Sequence, residues 1–323
     1  MIRRVQDIVF AIGLTLGVSA VCAQTPAYPS KPIRIIVSLA AGSSADIVTR
    51  IITPKLSEAF GQQFIVDNRV GFSGNVGAET AARSAPDGYT LLIVYAGNAI
   101  SQTFAKLGYN LEKDFEPVGQ IASLPLALVV HPSLPVKSVK ELITFTKARP
   151  RQLYYASPGN GSLPHLTAEL FKVQGEIDIV HVPYKSPPQA VTELVGGQTA
   201  MMFAAPLSVL PHANSGRLRM LAISSAKRSA VAPELPTIAE SGLAGFDVSQ
   251  WYGVLAPAGT SRDIIARLNR ELANIIRMPD IRERLANGGV DPITTTPGEF
   301  AAYIKAEIAK WAKAIKASGA QAD

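Results

Sequence analysis

Along nearly the whole chain, short β-branched runs alternate with amphipathic stretches, and no other feature of the sequence restricts the fold so much. Residues 33–38 form a β-branched run, Ile33, Ile35, Ile36 and Val37 interrupted by Arg34 alone, which suits a buried strand. Ile47, Val48, Ile51, Ile52, Leu56, Ala59 and Phe60 then recur with the helical period and line one face before Gly61. Pro54 lies inside that segment and is expected to kink it. Strands at 64–66 and 89–95 enclose a small-residue helix near 75–85. The rhythm returns in a second block, with strands at 126–130, 153–156, 177–182, 200–203 and 218–224 and helices at 139–148, 164–174 and 187–195. Three of those helices open on capping signals at Ser138, Ser162 and Ser186. Such alternation is the pattern of an α/β protein with mostly parallel sheets flanked by helices.

The end of the chain decides how the two blocks connect. A further buried strand at 248–256 precedes helices that carry Ile264, Ile265, Leu268, Leu272, Ile275 and Ile276, then Phe300, Ile304, Ile308, Trp311 and Ile315, each set on one face. These helices have too few strands to form a third domain, so they must cover an existing sheet. The expected organisation is a discontinuous first domain, residues 24–125 plus 250–323, with 126–249 inserted as the second. Two crossings, near Pro125 and Gln250, make a hinge, and the interdomain cleft becomes the ligand site.

The first 23 residues read as a signal peptide. Arg3 and Arg4 precede a short uncharged core at 8–18, and the small-residue exit Val21-Cys22-Ala23 places cleavage before Gln24. That core is too short for a membrane span, which needs roughly 20 apolar residues. Val21 is a poor fit to the small residue that precedes a lipidated cysteine, so a soluble exported chain is expected. Cys22 is the only cysteine, and its loss leaves burial as the source of stability. The formal charge of +6 includes a net +1 from Arg3, Arg4 and Asp7. With basic residues dispersed and aromatics sparse, nothing resembles a nucleic-acid surface.

Catalytic and cofactor patterns are missing. His131, His165, His181 and His212 lack partners at metal-ligand spacing, so neither a metal nor another cofactor is expected. The chain has no Gly-x-Ser-x-Gly elbow, and Gly159-Asn160-Gly161 lacks a phosphate-loop ending. Gly71, Gly74 and Gly77 are spaced only loosely like a dinucleotide loop, and a flexible turn explains them better. What recurs is a strand that ends in glycine and hydroxyl residues and opens a helix. Gly42, Ser43, Ser44 and Asp46 follow the first strand; Ser157, Asn160, Gly161 and Ser162 follow a strand of the second block. Singly, each is a capped helix. Facing each other across a cleft, two such amino termini can hold a carboxylate without an arginine. Asn98, His165, Tyr184 and Ala204, at or near other strand ends, complete the candidate ligand-binding set. Asn98 can equally satisfy its own turn, and Tyr184 can equally be packing. Asp67, Asn68 and Arg69 read as a structural ion-pair knot, and Trp251 and Tyr252 as hinge packing.

Several segments resemble the tripartite tricarboxylate transporter receptor family, the Bug-type periplasmic solute-binding proteins. They include Tyr28-Pro29-Ser30-Lys31-Pro32-Ile33-Arg34, Asp67-Asn68-Arg69, Pro86-Asp87-Gly88-Tyr89-Thr90-Leu91, His181-Val182-Pro183-Tyr184-Lys185, Trp251-Tyr252-Gly253 and Ala256-Pro257-Ala258-Gly259-Thr260. Their order and spacing span nearly the whole chain after the signal. The resemblance implies a two-domain periplasmic-binding-protein clamp that delivers a small carboxylate to inner-membrane permease subunits; a monomer without enzymatic activity is expected. The resemblance also implies that the turn after the first strand and the 157–162 turn hold the carboxylate, with water. Ser43, where the family has a second glycine, and Ala204, where many relatives carry Asp, depart from the pattern. With hydroxyls and amides but no free acid among the candidates, a dicarboxylate or aromatic acid is expected over an amino acid, because an unpaired buried ammonium costs several kcal/mol. A sensing receptor for a membrane kinase would use the same clamp. A serine hydrolase built on Ser157 is the third reading, and the sequence shows no His-Asp pattern to support it.

Overall fold

The computed structural model describes residues 28–104, 106–229 and 232–319, so the expected signal peptide lies outside the described residues. The chain runs β1 (Ile33–Val37), α1 (Ser44–Phe60), β2 (Phe64–Asn68), a 3-10 turn (Phe72–Gly74), α2 (Asn75–Ala82), β3 (Thr90–Tyr95), α3 (Ala96–Phe104) and β4 (Phe115–Pro125). It continues with β5 (Ala127–Val130), α4 (Val139–Lys147), β6 (Tyr154–Ser157), α5 (Leu163–Gly175), β7 (Val180–Pro183), α6 (Pro187–Val195), β8 (Met201–Ala204), α7 (Pro206–Asn214) and β9 (Arg219–Ile223). It ends with β10 (Ser249–Pro257), α8 (Arg262–Arg277), α9 (Pro279–Asn287), β11 (Asp291–Pro292) and α10 (Pro297–Ser318).

Two sheets result, ordered β11-β4-β10-β3-β1-β2 and β7-β6-β8-β5-β9. In the first, β1 pairs in parallel with β2 and β3, while β10 runs antiparallel to both β3 and β4. In the second, β6 is parallel to β7 and β8, and β5 runs against β8 and β9. Of the reversed strands, β5 and β10 enter from the other sheet, while the two-residue β11 follows α9 at the edge of the first. A chain arriving at the edge where a sheet's parallel strands end has to run against them. Each sheet is therefore more mixed than an alternating βα rhythm suggests.

Strand alternation sorts the core into layers. Ile33, Ile35 and Val37 of β1 join Leu91 and Ile93 of β3 in an apolar layer under α1, α8 and α9. Ile36, Leu92 and Val94 point the other way, towards Ala78, Ala81, Ala99, Phe300 and Ile304. That second layer continues without a break into the second sheet through Phe246, Trp251 and Trp311, reaching Leu128, Tyr155, Phe171 and Phe203. The continuity comes from α10, which packs on α3 and β4 and also on α5. A methyl group at Gly253 would overlap the Phe300 ring, so the glycine lets α10 lie against β10. Where the chain passes between sheets, the buried Ser224 hydroxyl donates to the Val248 carbonyl (2.6 Å) and accepts from the Leu126 amide (2.8 Å), tying both passages together.

β4, α3, α7 and α9 depart from the sequence expectation. β4 contains Pro117, Gly119 and Pro125 and no sustained β-branched run; it is a strand because β10 and β11 pair with it. α3 starts at Ala96, directly after β3, although Gly97 and Asn98 look like a turn. α7 and α9 are short helices opened by Pro206 and Pro279 at their amino ends. α1 runs on through Pro54 as one helix.

Candidate functional site

β1, β3 and β4 point in one direction, and β4 leads through Leu126 alone into β5. The carboxyl edge of the first sheet therefore faces the second. β5 starts at that junction and runs against β8, so β6, β7 and β8 also end there. The turns after β1 and β6 are thus brought to facing edges by topology, at the place where ligands collect in open α/β sheets.

The first turn is built around Asp46, which is 3 % exposed. Its carboxylate accepts from the Gly42 amide (3.0 Å), from Arg50 Nε (3.0 Å to each oxygen) and from Asn68 Nδ2 (3.0 Å). Burial alone would raise the Asp46 pKa, but the hydrogen bonds from Arg50, Gly42 and Asn68 outweigh it and hold the carboxyl below its ordinary value. Asn68 also donates to the Leu39 carbonyl (3.0 Å), clamping the end of β1. Gly42 has a φ of +81°, which favours glycine, and no protein atom lies within 4 Å of a side chain placed there. The Ser43 side chain accepts the Asp46 amide as the helix cap, and the Ser43 amide donates to the Ala40 carbonyl. The first turn of α1 leaves the Ser44 and Ala45 amides without intrahelical acceptors. Ser44 itself is exposed, and the Tyr252 phenol near it is buried, which pushes its pKa up to about 12.

The second turn is as tightly wired. Ser157 is fully buried, its hydroxyl 2.6 Å from His181 Nε2 and within reach of the Gly159 amide (3.2 Å) and carbonyl (3.1 Å). Ser162 caps α5 by accepting the His165 amide, and its hydroxyl donates to the Gly159 carbonyl (2.7 Å). Gly161 donates its amide to His165 Nδ1 (3.0 Å). The glycine amides that look like carboxylate donors in the sequence are therefore occupied. The helix amino ends, Ser44 and Ala45 on one side and Leu163 on the other, carry the open positive potential.

The other candidates divide. Asn98 is fully buried; its Oδ1 accepts the Tyr95 amide (3.2 Å) and its Nδ2 faces the Tyr109 hydroxyl, so it stabilises the start of α3. Ala204 belongs to an apolar cluster with Met202 and Val209. The Tyr184 amide donates to the Ser157 carbonyl (2.9 Å), which extends the second turn. Asn160 is exposed on that turn. Sequence reasoning missed Arg50, Asn68 and His181 as supports. The Asp46 to Arg50 spacing of four on a helix was a usable signal for the first.

His181 is held neutral: burial, then its neighbour His165, then Lys172 lower its pKa to about 4. The unfolded ring titrates near 6.5, so its stabilisation is complete above that pH and is lost as pH falls from there towards about 4. Between pH 7 and 4.5 the chain should lose about 1–2 kcal/mol through this partly exposed ring, and His181→Phe should lose correspondingly less. Urea unfolding of both proteins at the two pH values measures the difference, and equal losses would exclude the ring as the cause.

Two α/β sheets joined by two strand passages, with capped helix amino ends facing across the junction, define a solute-binding clamp of the periplasmic type. The match to known proteins says which one. Residues 48–320 match the model of the tripartite tricarboxylate transporter family receptor, and the chain belongs to that family. It is 36% identical to protein BugT of Bordetella pertussis over 315 residues, covering 96% of this chain and 97% of that one. Among solved structures it is similar to Rhodopseudomonas palustris Rpa4515 with adipate, at 35% identity and TM-score 0.73, covering 91% of this chain and 99% of that one. It is also similar to MatC of the same organism with bound malate, at 30% identity and TM-score 0.69, covering 89% of this chain and 100% of that one. Members of this family are binding receptors and not enzymes, so the Ser157–His181 pair is a structural hydrogen bond and not a nucleophile with its base.

Proposed function

We propose that this chain is exported to the periplasm, works there as a monomer, and captures a dicarboxylate or aromatic acid for inner-membrane permease subunits of a tripartite tricarboxylate transporter. The observation that carries this reading is the pair of helix amino ends, α1 and α5, presented at facing sheet edges. Residues 24–125 with 250–323 form one domain and 126–249 the other, a division supported by the membership of the two sheets. The turns at 42–44 and 157–162 present the carboxylate to the open amino ends of α1 and α5, Asp46 and His165 set the shape of those turns, and Tyr184 borders the second. Asn98 and Ala204 shape the cleft from beneath. The acid closest to the first turn, Asp46, is committed to Arg50 and Asn68, which leaves it unable to serve a ligand ammonium. Relatives described with adipate and malate support a diacid.

A cleft ligand favours closure only by touching both lobes. Calorimetric titration with succinate, adipate, malate, citrate, a benzoate-type diacid, aspartate and glutamate should give the tightest binding for acids without an amine. X-ray scattering at saturation should show a smaller radius of gyration. Micromolar binding of an amino acid alone would overturn the ligand class, and an unchanged radius with ligand bound would overturn the closing clamp.

A further inference from the structure

We infer that His165 and His181 are positioning residues for the ligand turn at 157–162, each imidazole holding one end of it through a single nitrogen. The inference rests on the reading of that turn as half of the carboxylate site. At the front of the turn, His181 Nε2 lies 2.6 Å from Ser157 Oγ; at its far end, His165 Nδ1 accepts the Gly161 amide at 3.0 Å. The two rings are stacked on each other, centroids 4.0 Å apart and 9° from parallel, so the two ends are held by one rigid unit.

The unit is anchored from below. Tyr155 stacks under His181 at 4.8 Å, and its hydroxyl donates to the buried Glu169, which Lys172 neutralises at 2.9 Å. The placement follows from the fold. Tyr155 and Ser157 share a face of β6, His181 is the register partner of Tyr155 in β7, and His165 and Glu169 come from α5, which covers that face. The groups of β6, β7 and α5 facing the imidazoles are therefore Tyr155, Ser157, Glu169 and Lys172. The His165 contact requires a neutral ring. An Nδ1 that accepts a hydrogen bond carries no proton, and two imidazolium charges 4.0 Å apart repel. Gly159 (φ +124°) and Gly161 (φ +70°) give the turn's backbone unusual freedom, which the two imidazoles restrain together with the Ser157 and Ser162 hydroxyls at Gly159. His165 closes the lock by also donating its own amide to the Ser162 cap.

His165→Phe and His181→Phe preserve stacking but remove the nitrogen. His165→Asn and His181→Gln restore a polar atom near Nδ1 and Nε2 respectively. Each Phe variant should weaken adipate or malate binding by about five- to tenfold, the ratio set by one lost hydrogen bond, while still unfolding in one cooperative transition at neutral pH. The Asn and Gln variants should bind within about twofold of the unaltered chain. In ligand-free protein, nitrogen NMR should show His165 unprotonated at Nδ1, and the Gly161 amide should lose exchange protection in His165→Phe and regain it in His165→Asn. Normal binding by the Phe variants, no recovery by Asn and Gln, or a proton on His165 Nδ1 would each overturn the inference. If the unaltered chain binds neither acid while Gly161 protection follows the predicted order, the positioning role stands and the proposed ligand class fails.

Discussion

Replacing Glu307 by leucine is expected to lower folding stability by about 3–5 kcal/mol, because it removes one member of a buried charged network and leaves the others in place. Glu307 is 3 % exposed and accepts from both indoles, Trp251 Nε1 at 2.9 Å and Trp311 Nε1 at 3.1 Å, while pairing with Lys310. Leucine fills the volume but accepts nothing. Two buried N–H donors are left without a partner, at about 1–3 kcal/mol each. Lys310, which is partly exposed and keeps the Asp247 carbonyl at 2.8 Å, adds little. Glu307→Gln retains an acceptor and should cost about 1–2 kcal/mol. The position matters beyond its own energy. Trp251 lies on the strand that returns to the first sheet, and Trp311 lies on the helix that also packs on α5. Weakening their shared acceptor loosens the junction that a clamp must bend. The chain has two tryptophans and both bond Glu307, so urea unfolding followed by intrinsic fluorescence reads this site directly. A leucine variant as stable as the unaltered protein would show that the indoles find other acceptors.

Asp46→Ala should cost about 2–4 kcal/mol in stability and at least about tenfold in ligand affinity. The carboxylate is the common acceptor for the Gly42 amide, Arg50 and Asn68, and these three donors come from the turn, the helix and the neighbouring strand. Without it the Gly42 amide and the Asn68 side chain compete for new partners, and the amino end of α1 is no longer held in place. Arg50→Ala is the informative contrast. The Arg50 side chain is 53% exposed, so its loss removes a surface ion pair worth less than about 1 kcal/mol while Asp46 keeps its other donors. Paired denaturation and calorimetry on the two variants separate the roles. Equal effects would mean that the ion pair, and not the buried acceptor, organises the turn.

Much of the molecule is legible without coordinates where a local rule applies. The helix from Pro187 to Val195 ends where its Ser186 cap and apolar face predict, and Thr296 with Glu299 forms the capping box that opens α10. β3 is a dense apolar run buried throughout, and β1 is β-branched and buried except at Arg34. β4 is not legible, since its prolines and glycine offer no strand signal and its conformation is imposed by β10. α3 is hidden for the opposite reason. Gly97 looks like a breaker but is required because the Tyr95 ring lies over its Cα, and Asn98 looks like a ligand contact but accepts the Tyr95 amide.

The candidate site divides along the same line. The sequence by itself determined that glycine and serine turns follow strands and open capped helices, because caps and left-handed glycines depend on residues a few positions apart. It likewise determined the two-block α/β organisation, through the period of its apolar residues. Only the tertiary structure decided which amides of those turns are already taken. His181 reaches Ser157 from 24 residues away and Asn68 reaches Asp46 from 22, and nothing in the local pattern encodes those approaches. It also decided that α10 joins both sheets and that Glu307 sits between Trp251 and Trp311. Such contacts depend on the relative placement of distant segments, which burial and close packing select for the whole chain at once.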